Sequence, residues 1–378
     1  NDQIVLLKCT SAYPAKPESM NLKTISRNVG YALLVSALFM LISTVVAICN
    51  GHDSALAALS ISFVITFISG LFPFIFVRET NFISLKEGYV IITLSWLLSF
   101  VFGMLPYALW GGPFTVQNAW FESVSGFTTT GGTILDDVEA LPKSLLFWRS
   151  STHFIGGLGV AVFLLLIIPQ SSPMRLRLSS MELSSLSKGS YGTRTNKTVY
   201  IFAYVYLAIC VTAFICYMLA GMSPFDAINH AFSVCATGGF STRNMSIAAY
   251  DSRLIEGMTM VFMYVASIHF GLVFMTFVTK SFRPLNNPVL KFYTAVLALF
   301  ALGLAFTLKT QGLSPTWGRA VWDGAFNVLS VASTTGFATV DNAAWPIQAS
   351  IITMFLGIMC GCAGSTTGGI KADRVVVL

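Results

Sequence analysis

Charge is what this chain has least of. Asp, Glu, Lys and Arg make up 10% of its 378 residues, against 55% hydrophobic residues, whereas soluble domains carry about 25% charged residues. The shortage comes in blocks. Stretches 28–52, 54–77, 88–121, 150–174, 198–225, 257–279, 292–308 and 342–370 contain no charge, and each reaches the roughly 17–25 residues that cross a hydrocarbon core. A soluble globular domain is excluded, and an all-α polytopic membrane protein is expected. A disulfide framework is also missing. Seven cysteines are an odd number, and Cys210, Cys216, Cys235, Cys360 and Cys362 lie in or beside apolar runs. Cys360 and Cys362 are too closely spaced for a usual zinc pair and lack a partner cluster, so no transition-metal site is expected.

Catalytic constellations are absent as well. His153, His230 and His269 have no acid at a catalytic spacing, and His52 beside Asp53 reads as a solvated pair in a short outer loop. Interhelical hydrogen bonds or packing are expected for His153 and His269. The segment "GSTTGGIK" at 364–371 lacks the Gly-Lys-[Ser/Thr] of a phosphate loop and follows no strand. The chain therefore reads as a non-enzyme, without covalent cofactor and without a nucleic-acid partner.

What is present has a direction. With a cytoplasmic N-terminus, the inner connections hold 16 of the 22 Lys and Arg, and the outer ones hold 6, as the positive-inside rule requires. The loop 171–197 alone carries Arg175, Arg177, Lys188, Arg194 and Lys197 against Glu182. The acids lean outward, 10 against 6, with Asp136, Asp137, Glu139, Asp251 and Asp341 following three unusual segments. Lys143 and Arg149 also fall outside, where lipid headgroups are their expected neighbours. The patterns Asn196-Lys-Thr198 and Asn244-Met-Ser246 are discounted as glycosylation sites.

The unusual segments are "SGFTTTGGT" (125–133), "CATGGFST" (235–242) and "ASTTGFAT" (332–339). Anchored on Gly131, Gly239 and Gly336, they share Thr two positions earlier (Thr129, Thr237, Thr334) and Ser six positions earlier (Ser125, Ser233, Ser330). Thirteen positions earlier stand Asn118, Asp226 and Asp323. Agreement at several offsets marks an internal repeat. In each copy an apolar span ends near Gly111, Gly221 or Gly312. A segment of about a dozen residues follows, opened by Asn118, Asp226 or Asp323. Such a helix covers only about 18 Å, so it must enter and leave on one side. Nine positions before the glycine, Glu122, His230 and Asn327 offer a polar group to support the loop.

Non-helical backbone at membrane depth is tolerated only where protein buries it or a water-filled cavity meets it. Carbonyls arranged about an axis can replace the hydration shell of a monovalent cation. Glycine adopts backbone angles other residues resist and lets an ion approach. Residues Thr129, Thr130, Gly131, Thr237, Gly238, Gly239, Thr334, Thr335 and Gly336 therefore read as three walls of a cation selectivity filter. Glu122, Ser125, Asp226, Ser233, Asp323 and Ser330 read as their supports. Small residues that merely let helices pack closely are the competing explanation for one copy, and three matched copies argue against it.

These motifs resemble the Trk/Ktr/HKT superfamily of potassium transporters, closest to its bacterial TrkH/TrkG branch, because two extra spans (about 31–49 and 56–77) precede the first unit. The likeness covers everything after Met20. It implies pore units around a pseudo-fourfold axis: an N-terminal two-span segment 20–87, then units 88–174, 198–280 and 288–378. Its most specific part is "GCAGSTTGGIK". There Gly361, Gly364, Ser365, Thr366, Thr367, Gly368 and Gly369 match the loop that interrupts the third unit's last span and gates the pore. The resemblance implies potassium uptake through a gated pore, with K+ as the transported ion at the filter glycines. It further implies the bacterial inner membrane, a homodimer, and a cytosolic nucleotide-binding regulatory subunit of the TrkA kind on the basic face. Two departures accompany it: the family's fourth unit and its Gly-Arg-containing span are missing here, as expected of a fragment or an early-terminated product, and residues 1–19 read as a non-native or upstream extension. A secondary active transporter coupling a monovalent cation to a solute is the alternative. Two full spans and one re-entrant segment per unit keep every unit in the same orientation, which favours the pore over an inverted repeat.

Overall fold

The computed structural model describes residues 22–77, 85–167, 195–340, 342 and 345–377. Residues 1–19, the basic connection 171–194 and Asp341 lie outside the described residues. Only helices let a chain in lipid satisfy its backbone polar groups internally without closing a barrel, and helices dominate here. Helices α1 (Leu22–Cys49) and α2 (Leu56–Phe76) form the N-terminal pair. In the first unit, α3 (Leu85–Gly103) runs on into α4 (Leu105–Trp110), followed by α5 (Val116–Phe127) and α6 (Lys143–Ile167). The second unit holds α7 (Thr195–Leu219), α8 (Pro224–Cys235), α9 (Arg253–Ser267) and α10 (Phe270–Thr279). The third holds α11 (Pro288–Thr310), α12 (Trp317–Ala332) and α13 (Ile347–Ile358). It closes with a two-residue parallel pairing of β1 (Met359–Cys360) with β2 (Ile370–Lys371), and then α14 (Ala372–Val377).

Of the eight expected spans, five are helices long and apolar enough to cross a membrane among the described residues, or six with one bent pair. The bent pair is α9–α10. The stretch 257–279 reads as one span in the sequence, yet it turns by 102° at Ile268–His269. His269 starts the second half as its cap, Nδ1 accepting from the Gly271 amide at 2.9 Å. Helix α6 is outside the five; its N-terminal half carries buried Ser144, Arg149, Ser150, Ser151, Thr152 and His153, so protein surrounds it where a lipid-facing helix would be apolar. The last stretch is interrupted after Ile358, as the run of small residues predicts.

The short helices α5, α8 and α12 follow glycines of positive φ: Gly111 (+81°), Gly221 (+102°) and Gly312 (+73°). Their first residues differ from expectation. The caps are Thr115, Ser223 and Thr316, whose hydroxyls accept from the amides of Asn118, Asp226 and Arg319. Asn118 and Asp226 thus sit inside the first turn. Asp323 lies a turn deeper, because α12 has 16 residues against 12 in α5 and α8. A cap needs an oxygen that reaches an amide two or three residues onward, and Thr316 supplies it. Even α12 spans only about 24 Å.

Candidate functional site

The chain leaves α5, α8 and α12 in the same conformation three times. Thr129, Thr237 and Thr334 have φ of +54°, +53° and +55°; Gly131, Gly239 and Gly336 have +77°, +85° and +82°. Each loop is closed by one amide, of Thr130, Gly238 or Thr335, donating at 2.9 Å to the carbonyl of Ser125, Ser233 or Ser330. A β-branched residue in the left-handed region is a genuine outlier, and three at equivalent places mark a conformation the surroundings impose. Sequence gave no signal for it, since threonine is among the last residues expected there.

The loops touch in order. A Cβ on Gly131 would fall 1.8 Å from the Gly238 carbonyl oxygen, and one on Gly239 would fall 2.0 Å from that of Thr335. Gly238 and Thr335, the residues preceding the second and third glycines, therefore present their carbonyls to the loop before, and nothing larger than glycine fits at Gly131 or Gly239. At Gly336 a Cβ would meet nothing within 4 Å.

Behind the loops the supports differ in detail. Ser125 Oγ donates to Gly132 O and Ser330 Oγ to Phe337 O, each at 2.6 Å. Ser233 instead faces His153 Nδ1 at 3.1 Å. Glu122 accepts from Thr133 Oγ1 at 3.1 Å and from the Ile134 amide at 3.3 Å. The equivalent His230 places Nε2 2.9 Å from Ser241 Oγ, two residues past its own filter glycine just as Thr133 is. Asn327 turns away and donates to Asp323 O at 2.8 Å, because the third loop has Ala338 at the matching place. Asp226 accepts from Thr242 Oγ1 at 2.6 Å and pairs with Arg243 at 3.2 Å; Asp323 pairs with Arg319 at 2.8 Å.

Arg149 corrects the sequence reading. It is 2% exposed, faces no headgroup, and its Nε lies 2.5 Å from Glu122 Oε1. Lys143 is exposed. The connections that follow the first two loops are clasped together. Asn244 accepts from the Val138 amide at 2.6 Å and donates to Asp137 at 2.8 Å, while Arg243 reaches Glu139 at 3.4 Å. The Asn244 hydrogen bond holds the Asp137 carboxyl below its ordinary range.

Residues 361–369 form the non-helical break and lie directly against two of the loops. Thr366 Oγ1 is 3.0 Å from Cys235 O and 3.3 Å from Ala266 O, and its carbonyl accepts from Thr237 Oγ1 at 3.1 Å. The Gly368 amide donates to Thr334 Oγ1 at 3.0 Å. The bend of α9–α10 grips the other side, through Cys362 N to Ser267 O and Phe270 N to Gly364 O. A Cβ on Gly364 would fall 2.8 Å from the His269 ring. Ser365 and Thr367 share a hydroxyl contact of 2.8 Å, Thr367 also accepts from Lys371 Nζ, the Gly361 carbonyl accepts from the Ala372 amide at 3.1 Å, and Gly369 lies against Cys360. Among the described residues no group of three or more His, Cys, Asp or Glu could hold a metal.

The TrkH family, described as cation transport proteins, matches residues 56–378. The NeuB family matches residues 1–29, which runs past Met20 into α1. The chain is 32% identical to the Trk system potassium uptake protein TrkH of Vibrio parahaemolyticus, covering 95% of this chain and 75% of that one. It is 31% identical to Trk system potassium uptake protein TrkG of Escherichia coli K12, covering 95% and 74%. The crystal structure of the potassium transporter TrkH from Vibrio parahaemolyticus superposes with a TM-score of 0.83 at 29% identity, over 95% of this chain and 74% of that chain. The chain is a member of the TrkH family of cation transport proteins.

Proposed function

We propose that the three loops are walls of a selectivity filter, and that the chain is a membrane-embedded subunit that takes up potassium through a gated pore. One observation carries this reading: three loops of the same backbone conformation, the first two seated with their glycines, Gly131 and Gly239, on the next loop's carbonyl. Carbonyls so stacked replace the water lost by a monovalent cation. Each loop follows the C-terminal end of α5, α8 or α12, where the helix dipole is negative. Potassium as the cargo follows the names of the relatives. The break at 361–369, hydrogen-bonded to Thr237 and Thr334, obstructs the path as a gate. The Lys and Arg distribution supports a cytoplasmic N-terminus in a bacterial inner membrane. A homodimer carrying a cytosolic nucleotide-binding regulator is the assembly this reading implies.

A secondary transporter is favoured by one feature, the discontinuous span α9–α10. Three loops of one orientation weigh more. The test is rubidium uptake and potassium-dependent growth in a strain lacking potassium uptake, with the complete gene product and its Gly239→Ser variant. Rescue lost with Gly239→Ser supports the filter. Uptake that requires a second solute, and is indifferent to Gly239→Ser, returns the function to coupled transport.

A further inference from the structure

Arg149 and His153 stand one helical turn apart on α6, so their side chains share a face. That face meets both the first and the second loop. Arg149 Nε bonds Glu122 at 2.5 Å, its Nη1 donates to the Ser241 carbonyl at 3.1 Å, and its guanidinium lies 3.6 Å over the Phe240 ring. His153 stacks on the same ring at 4.0 Å and 12°, with Nδ1 on Ser233. A Cβ on Gly238 would fall 2.3 Å from His153 Nδ1. The imidazole therefore fills the place that the Thr130 and Thr335 side chains take in the other two loops.

Glu122 extends the connection. It holds Thr133 and Ile134 of the first loop while Arg149 holds residues 240–241 of the second. One continuous set of contacts thus runs from the first loop, through a fully buried carboxylate and guanidinium, to the second. The third loop meets the second without an ion pair: the Ala338 amide donates to Ser246 Oγ at 3.3 Å, the Ala248 amide donates to Ala338 O at 3.1 Å, and Phe337 packs against His230, while Asn327 bonds within its own helix. A pair this buried is expensive to desolvate and does little for stability against an apolar substitute. Fully hydrogen-bonded, it makes its surroundings rigid. The guanidinium fork holds two directions at once, which a lysine cannot reproduce.

We infer that Arg149 and His153 are positioning residues that fix the first loop against the second and thereby set discrimination among alkali cations. This rests on the filter reading above. The Gly131–Gly238 approach leaves no slack, so a shift of a few tenths of an ångström moves an ion ligand.

The experiment compares uptake of rubidium and sodium by the complete protein in four variants: Arg149→Lys, the pair Glu122→Gln with Arg149→Met, His153→Gln, and Gly239→Ser. Each is normalised to the amount of folded protein. Arg149→Lys and the paired variant are expected to lower the rubidium-to-sodium ratio about tenfold. His153→Gln keeps a hydrogen bond to Ser233 and loses the stack, and is expected to lower the ratio about threefold. A merely structural role would change protein yield and leave the ratio intact; that result in every variant that folds overturns the inference. If both Arg149 variants fail to fold, His153→Gln decides in the same terms. If Gly239→Ser shifts the ratio while the α6 variants do not, the positioning role alone falls. If Gly239→Ser also leaves it unchanged, the filter reading falls and takes this inference with it.

Discussion

Replacing Gly131 and Gly312 separately by alanine separates backbone strain from close approach. Their φ values are +77° and +73°, so alanine meets the same left-handed penalty at both, about 1–2 kcal/mol. At Gly312 a Cβ meets nothing within 4 Å, and the penalty is the whole effect. At Gly131 the Cβ would fall 1.8 Å from the Gly238 carbonyl oxygen, where a carbon and an oxygen ordinarily stay about 3.3 Å apart. A neighbouring backbone must retreat, and no flexible side-chain end can absorb the motion. Overpacking costs about 1–3 kcal/mol where side chains can adjust, so Gly131→Ala is expected to lose roughly 2–5 kcal/mol in all, toward the upper end because backbone must move. Thermal unfolding in detergent gives the stability, and rubidium uptake by the complete protein gives the function. Gly312→Ala should unfold slightly earlier and transport as before; Gly131→Ala should be strongly destabilised and inactive. Equal losses at the two positions would mean that φ alone demands glycine and that the loops are not in contact.

Two further outcomes are expected. Thr366→Val removes the hydroxyl that reaches Cys235 O and Ala266 O, worth about 1 kcal/mol; a loosened gate should raise resting rubidium flux, and an unchanged or lower flux would refute the gate's anchoring at this residue. Asn244→Ala releases Asp137, whose carboxyl should rise toward its ordinary range. A depressed folded-state pKa adds stability above the unfolded value, lost as pH falls through the folded one. The stability gap between parent and variant should therefore narrow as pH falls from just above the ordinary aspartate value of about 3.9 through the lower folded one, leaving the pH-independent part due to the Val138 amide, and a gap indifferent to pH would sever the link to Asp137.

The membrane class, the re-entrant segments and the Thr/Gly repeat were legible because each is a local pattern. Blocks without charge force helices in lipid, and glycine at Gly131, Gly239 and Gly336 answers to a positive φ at its own position. Even the interruption after Ile358 could be read from "GCAGSTTGGIK". Less visible were features requiring a partner. Arg149 looked like a headgroup neighbour because Glu122 is 27 residues away, and only packing of α5 on α6 brings them together. The left-handed threonines run against local preference and are imposed by the closing bond from the following amide.

The sequence by itself determined that this chain crosses a membrane, which segments turn back within it, and where three equivalent loops stand, since those follow from hydropathy, length and backbone preference. Tertiary structure alone decided the order in which the loops meet and the bend at His269. It also decided the seating of the 361–369 break against Thr237 and Thr334, and the insertion of His153 where Gly238 lacks a side chain. These depend on contacts between residues about 30 to 130 positions apart, which no local pattern encodes, because burial is a property of the assembled helices.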